Sequence, residues 1–261
     1  MPRKPPYGLC SAFSTGPSVA GTRAEKGVET VKITVIGASG LIGTKVVELL
    51  TADGHQAVPA SRESGVDVLT GDGLAEALAG ADVLVDVVNS PSFQDEPVMQ
   101  FFTTSTTNLV TAAEAAGVGH YVALSIVGLD GLPDSGYLRA KVAQEKLIVE
   151  SGLPYTIVRA TQFAEFADAI VASMTGGSTV RVPDALIQPI AADDVAAAVA
   201  RAALGQPRTG TVDIGGPRKI SFEELARTVL ARHGDDKAVV VDPQATYFGT
   251  RLAKNSLVTA D

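Results

Sequence analysis

The chain has 261 residues, 46% hydrophobic and 19% charged, with a net charge of −8, the composition of one large globular domain, or of one with a small appendage. No stripe of Lys and Arg could neutralise a phosphate backbone, which argues against a nucleic-acid partner, and no apolar run reaches the roughly 18 residues of a membrane span. The single cysteine, Cys10, rules out an internal disulfide, and His55, His120 and His233 lie far apart with no Cys or His partner at ligand spacing, so no metal site is expected.

Residues 1–30, rich in Pro, Gly, Ser and Thr, lack the apolar core of a secretory signal and read as a disordered tail. Translation is expected to begin near Val31, and a reducing cytoplasm is the expected compartment. From Val31 onward, short β-branched runs alternate with helical patterns, the signature of βαβ units in an α/β, doubly wound parallel sheet. Strands are expected at 32–36, 56–60, 66–69, 82–88, 120–125 and 154–159, with helices at about 41–52, 73–79, 95–116 and 137–151. After Arg159 the rhythm loosens. A helix at about 163–174 precedes a strand at 179–182, a strand and an Asp-capped helix in "IQPIAADDVAAAVARAAL", and a further strand in "GTVDIGG". A last helix opens with the capping box Ser221 and Glu224 and closes at Gly234. The expected division is therefore a tail at 1–30, a dinucleotide-binding core at 31–160, and a small carboxy-terminal substrate-covering part of the same domain at 161–261.

"ITVIGASGLIGTKVVELL" carries the first chemical signal. Gly37, Gly40 and Gly43 meet three steric demands in turn: a sharp turn from strand into helix, close approach of backbone to a pyrophosphate, and tight helix–strand packing. The N–H groups from Ser39 through Gly40 and Leu41 to Ile42 would face the anion at the positive end of the helix. The expected second strand ends in Ser61 and Arg62 rather than in an acid that would hold a free ribose 2′-hydroxyl, which favours NADP(H) over NAD(H). Asp72 could accept a hydrogen bond from the adenine amino group.

"SGYLRAKVAQEKL" places Tyr137 and Lys141 four residues apart at a helix start, on one face. A nearby ammonium would lower the phenol's pKa and make it a usable proton shuttle. Ser125, at the end of the expected fifth strand, could hydrogen-bond the same substrate oxygen.

Together Gly37-Ala38-Ser39-Gly40-Leu41-Ile42-Gly43, Ser125, Tyr137-x-x-x-Lys141 and "PIAADDVAAA" resemble the short-chain dehydrogenase/reductase superfamily, in its atypical, NmrA-like branch, over roughly residues 31–250. The resemblance implies a Rossmann core that binds NAD(P)(H), Tyr137 as proton donor, Lys141 on the nicotinamide ribose and tuning Tyr137, and Ser125 orienting a carbonyl. It also implies that Val88, Asn89 and Ser90 line the cofactor. The usual Asn-Ala-Gly of the main branch is replaced by "NSPSF". Many members of this branch lack the tyrosine and act as redox sensors, so its presence points to an enzyme.

The first expectation is an NADPH-dependent reductase of an apolar, aromatic small molecule such as a quinone or polycyclic ketone, acting as a monomer or homodimer. Phe93, Phe163, Phe166, Tyr247 and Phe248 are candidates to line its pocket. The rival is a non-catalytic NADP(H)-binding sensor that regulates a protein partner. A nucleotide-sugar epimerase would share the fold and triad, but needs a larger sugar-binding subdomain than residues 160–261 can build.

Overall fold

The run Ile33–Ile36 is buried throughout, as a parallel strand covered by helices on both faces must be. It belongs to β1 (Lys32–Ile36), the first of six strands that form one sheet with β2 (Gln56–Ala60), β3 (Val83–Asp86), β4 (His120–Ile126), β5 (Tyr155–Ala160) and β6 (Gly210–Ile214). Their order is β2-β1-β3-β4-β5-β6 and every pairing is parallel. The structure is a computed structural model that describes residues 30–260; the expected tail therefore lies, except for Thr30, outside the described residues.

Helices cover both faces of the sheet. They are α1 (Leu41–Ala52), α2 (Leu74–Leu78), α3 (Asp95–Ala116), α4 (Gly136–Glu150) and α6 (Ala192–Leu204), while α5 (Ala167–Ser173) and α7 (Phe222–His233) pack together apart from it. On one face Val46 and Leu50 of α1 and Val195 and Val199 of α6 close over Ile33, Val35 and Val122. On the other, Leu74 and Leu78 of α2, Leu109 of α3 and Ile148 of α4 pack on Ile36, Leu84, Tyr121 and Ile157. A third cluster joins Ile170 of α5, Val180, Val182 and Ile187 to Phe222 and Val229 of α7, and stands beside the carboxyl ends of the strands.

Two expectations need correction. Residues 66–69 form no strand. Gly65 (φ +84°) ends the short 3-10 turn Arg62–Ser64, and Asp67 Oδ1 then accepts the Leu69 N–H at 2.8 Å while Gly71 N–H bonds the Asp67 carbonyl. The aspartate side chain thus competes for the backbone donors a strand would need. The sixth strand is instead β6, so the sheet does not end near residue 160: α6 and β6 return to the core.

α4, which carries Tyr137 and Lys141, is held firmly. Ser135 Oγ caps it by accepting the Leu138 N–H at 3.5 Å, and Arg139 bonds Asp95 Oδ2 and the Pro133 carbonyl, both at 2.6 Å. From the next strand Arg159 reaches Glu145 through Nε at 3.0 Å and Nη2 at 2.5 Å, and Asp130 through Nη1 at 2.7 Å. This paired, mostly buried guanidinium bolts α4 to β5.

Candidate dinucleotide and catalytic site

The sheet order reverses between β1 and β3, and the loops leaving their carboxyl ends meet there. In open α/β sheets this switch point is where ligands bind. Gly37 has φ +88°, and a Cβ on it would meet the Val87 carbonyl carbon and oxygen at 3.0 Å. Its N–H and that of Ala38 bond the Ala60 carbonyl at 3.0 and 3.2 Å, tying the loop to β2. Gly43 is tighter: a Cβ would stand 2.2 Å from the Gly37 carbonyl oxygen. Gly40 is the N-cap of α1, which no side chain caps, so the helix presents its orphan N–H groups and positive end to an anion. Ser39, Gly40 and Leu41 are exposed at this mouth, whereas Ile42 and Gly43 are buried behind it.

Beside the loop runs a cleft of about 330 Å³ lined by Ala38, Ser39, Pro59, Ser61, Glu63 and Ser64. Ser61 is one of the residues that line it. Arg62 is exposed at its lip, and no hydrogen bond or ion pair engages its side chain among the described residues. Asp72 ties off the preceding turn, with its carbonyl accepting the Asp67 N–H at 3.0 Å and its carboxylate the Thr70 hydroxyl at 2.8 Å.

After β3 the loop folds on its own polar side chains. Asn89 Oδ1 accepts the Ser90 N–H at 2.9 Å, Ser90 Oγ the Ser92 N–H and Ser92 Oγ the Gln94 N–H, both at 3.2 Å. Val88 N–H is held by Asp86 at 3.2 Å. The Tyr137 hydroxyl donates to the same Asn89 Oδ1 at 2.9 Å, so the first turn of α4 and the loop beside the glycine turn are joined directly. Ser125 Oγ is buried with no hydrogen-bond partner among the described residues. An unpaired buried hydroxyl is costly to leave so, and here it stands at the carboxyl end of β4, where a ligand oxygen would satisfy it.

The spacing of four predicts an ammonium beside the phenol; the structure turns it elsewhere. Lys141 Nζ donates to the Leu124 carbonyl at 2.9 Å and to Gln144 Oε1, and lies 4.7 Å from the Phe102 ring centroid. Burial alone pushes the Tyr137 phenol up to about 12. The expected lowering by Lys141 is thus absent, because carbonyl and amide partners one turn inward hold the ammonium.

Sequence reasoning did not single out what lies behind Lys141. Gln144 Nε2 and the Tyr121 hydroxyl both donate to Asp86 Oδ2 at 2.9 Å, so Gln144 links the lysine to a buried carboxylate. Burial pushes Asp86 up, against Lys141 and the three hydrogen bonds it accepts. The signal was an aspartate inside the otherwise apolar run "VLVDVV". Lys141 itself is pushed down to about 8 by burial, against Asp86 and Glu145. Between pH 8 and its ordinary 10.5 the unfolded chain holds this proton more tightly than the folded one, so stability rises with pH across that window. Lys141→Met is expected to flatten the rise, as read from urea midpoints for both proteins at about pH 7.5 and pH 10.

Of the five aromatic candidates, Phe93, Phe248 and Tyr247 form a chain of ring contacts that starts at Tyr137. Phe93 is 5.3 Å from the Tyr137 ring and 6.5 Å from that of Phe248, and Phe248 is 4.7 Å from Tyr247. Phe163 and Phe166 stack on each other at 5.6 Å instead, and Phe163 packs against the α1–α6 core.

A parallel sheet with an uncapped helix behind a glycine turn at its switch point defines a dinucleotide-binding protein, and the orphan N–H groups at the start of α1 fit a pyrophosphate. The chain belongs to the NAD(P)H-binding family, whose model matches residues 37–206. It is 28% identical over 147 residues to the photosystem II assembly factor Ycf39 of Cyanophora paradoxa, covering 51% of this chain and 46% of that protein. It is 28% identical over 166 residues to the isoflavone reductase homolog A622 of Nicotiana tabacum, covering 53% and 50%. The chain thus spans about half the length of these curated relatives. Among solved structures, a dTDP-4-dehydrorhamnose reductase from Clostridium acetobutylicum superposes with a TM-score of 0.67 at 18% identity, over 85% of this chain and 88% of that one. The Thermus thermophilus UDP-glucose 4-epimerase complex with NAD gives 0.64 at 18%, over 87% and 92%. These two establish the shared fold. The matches agree with the resemblance to the atypical, NmrA-like short-chain dehydrogenase/reductases. Among the described residues no helix is long and apolar enough to cross a membrane.

Proposed function

We propose that the protein is an NADPH-dependent reductase of an apolar carbonyl or quinone-type small molecule. The observation that carries this reading is the Tyr137 hydroxyl, bonded to Asn89 on the loop that touches the dinucleotide cradle. The glycine turn and the start of α1 would hold the pyrophosphate of a reduced nicotinamide dinucleotide, which when bound would supply hydride for the carbonyl carbon. The chain's own groups handle the oxygen. A phenol pushed up to about 12 keeps its proton at neutral pH, so Tyr137 serves as the acid that protonates the oxygen as it gains charge. The substrate oxygen takes the place of Asn89 Oδ1 on the phenol, and the unpaired Ser125 hydroxyl donates to the same oxygen and orients it. Lys141, charged below about pH 8, would serve the nicotinamide ribose rather than the tyrosinate, because the Leu124 carbonyl and Gln144 hold its ammonium away from the phenol.

Arg62, unpaired beside the cleft, supports NADPH over NADH through pairing with a 2′-phosphate, against the repulsion of Glu63 in the cleft wall. We further propose that the protein acts as a monomer or homodimer in the cytoplasm, without a nucleic-acid or membrane partner. The test follows NADPH consumption against a panel of quinones and ketones. Turnover that survives both Tyr137→Phe and Lys141→Ala refutes the proton-donor mechanism. Tight NADPH binding with no turnover of any substrate favours the sensor reading. Arg62→Ala is expected to weaken NADPH binding by about tenfold and leave NADH binding unchanged, since a charge-assisted contact is worth about 1.5 kcal/mol or more.

A further inference from the structure

Phe248 and Gly249 form the two-residue turn between the short antiparallel strands Thr246–Tyr247 and Thr250–Arg251. Both have positive φ, +46° and +81°, in a turn whose first position normally falls to Asn, Asp or Gly. A phenylalanine there is held against its backbone preference, and it gains little burial in return, since it remains 52% exposed. Facing it is Phe93, 61% exposed, with the two rings inclined by only 23° and their centroids 6.5 Å apart. Phe93 in turn touches the ring of Tyr137, and Tyr247 braces Phe248 edge-on at 85°. Two exposed, nearly parallel rings therefore lead outward from the proposed acid, Phe93 touching it and Phe248 next in line at a position where folding alone would select another residue.

We propose that Phe93 and Phe248 are the jaws of an aromatic subsite that takes a planar ring of the substrate between them, which makes the substrate an aryl carbonyl or a quinone and Phe248 a specificity-determining residue. The proposal rests on the reductase reading for its chemistry. Stacked carbon atoms prefer about 3.5–4.0 Å, so the jaws part by roughly 1 Å to admit a ring, a small shift for two exposed side chains. The carbonyl borne by that ring then lies on the side of Tyr137 and Asn89.

The test compares Phe248→Gly and Phe248→Asn with the unaltered full-length protein. Glycine and asparagine both suit the turn, so both variants are expected to keep or raise the thermal midpoint. Calorimetric titration in the presence of NADP⁺, where no reduction can occur, uses 2-acetonaphthone as the aryl ketone and cyclohexyl methyl ketone as the aliphatic one. The aryl ketone is expected to bind about tenfold more weakly to either variant, with the aliphatic ketone unchanged. A lower thermal midpoint in both variants overturns the proposal, because Phe248 then serves packing. So does an equal loss for both ketones, or no binding of the aryl ketone to the unaltered protein. Selective aryl binding that depends on Phe248, without turnover of any quinone or ketone of the panel when NADPH is supplied, keeps the jaws and refutes the reductase reading instead. Turnover whose aryl preference ignores Phe248 refutes the jaws and keeps the reductase.

Discussion

Tyr137→Phe is expected to lower kcat for a carbonyl substrate by about 10²- to 10⁴-fold, the range that a positioned general acid contributes. Dissociation constants for NADPH are expected to stay within about twofold. The separation follows from what the substitution leaves in place. The ring keeps its contacts to Phe93 at 5.3 Å and Phe102 at 5.9 Å, so the first turn of α4 does not collapse. The lost hydrogen bond to Asn89 is worth about 1 kcal/mol in stability, and less here because Asn89 is exposed and water replaces the phenol. Single-turnover oxidation of NADPH measures the chemical step, and a fluorescence titration measures binding. A fall in kcat below about tenfold would place the acid elsewhere. Because the phenol is pushed up to about 12, ionisation of Tyr137 does not limit the rate near neutral pH; an alkaline limb near pH 8 would belong to Lys141.

Gly43→Ala is expected to weaken cofactor binding by about tenfold or more and to destabilise the fold together. A Cβ there would stand 2.2 Å from the Gly37 oxygen, 2.7 Å from Ala38 Cα and 2.8 Å from the Gly37 carbonyl carbon. All three are backbone atoms, so no flexible side chain can yield, and either the turn opens or α1 backs away from β1. Backing away unpacks Ile42, Val46 and Leu50 from Ile33 and Val35. Overpacking of this kind costs about 1–3 kcal/mol in stability. If a similar sum is needed to restore the cradle, affinity falls by about tenfold or more. Gly40→Ala is the control. Its Cβ would meet one atom, the Gly37 oxygen, at 3.3 Å, with φ at an ordinary −83°, so a much smaller loss is expected. Urea unfolding and an NADPH titration on both variants decide it: equal effects would mean that crowding at Gly43 is not what shapes the cradle.

Local demands made the cradle and most of the sheet readable from the residues alone. The buried run Ile33–Ile36, the glycines spaced by three and the helical period after Leu41 each satisfy a constraint spanning a few neighbours. The same holds for the 22-residue α3, which begins at Asp95 and ends at Ala116 before Gly117 in the left-handed conformation, and for the box in which Ser221 Oγ accepts the Glu224 N–H. Tyr137 and Lys141 were legible as a pair on one helix face for the same reason.

What the sequence by itself determined, then, is an alternating α/β chain with a pyrophosphate cradle and a phenol at the start of a later helix. Tertiary structure decided which apolar run became the sixth strand, because a strand exists only where an edge offers partners: β5 offered one to residues 210–214, while Asp67 spent the donors of 66–69 on a turn. It also decided where the Lys141 ammonium points, through Leu124, seventeen residues away, and a Gln144 amide fixed in turn by Asp86. And it brought Phe248 against Phe93, and Phe93 against Tyr137. Spacing along the chain reports which face a side chain occupies, but its partner is chosen by segments far away in sequence, and in this protein those partners set the charge, the free hydroxyl and the aromatic walls of the site.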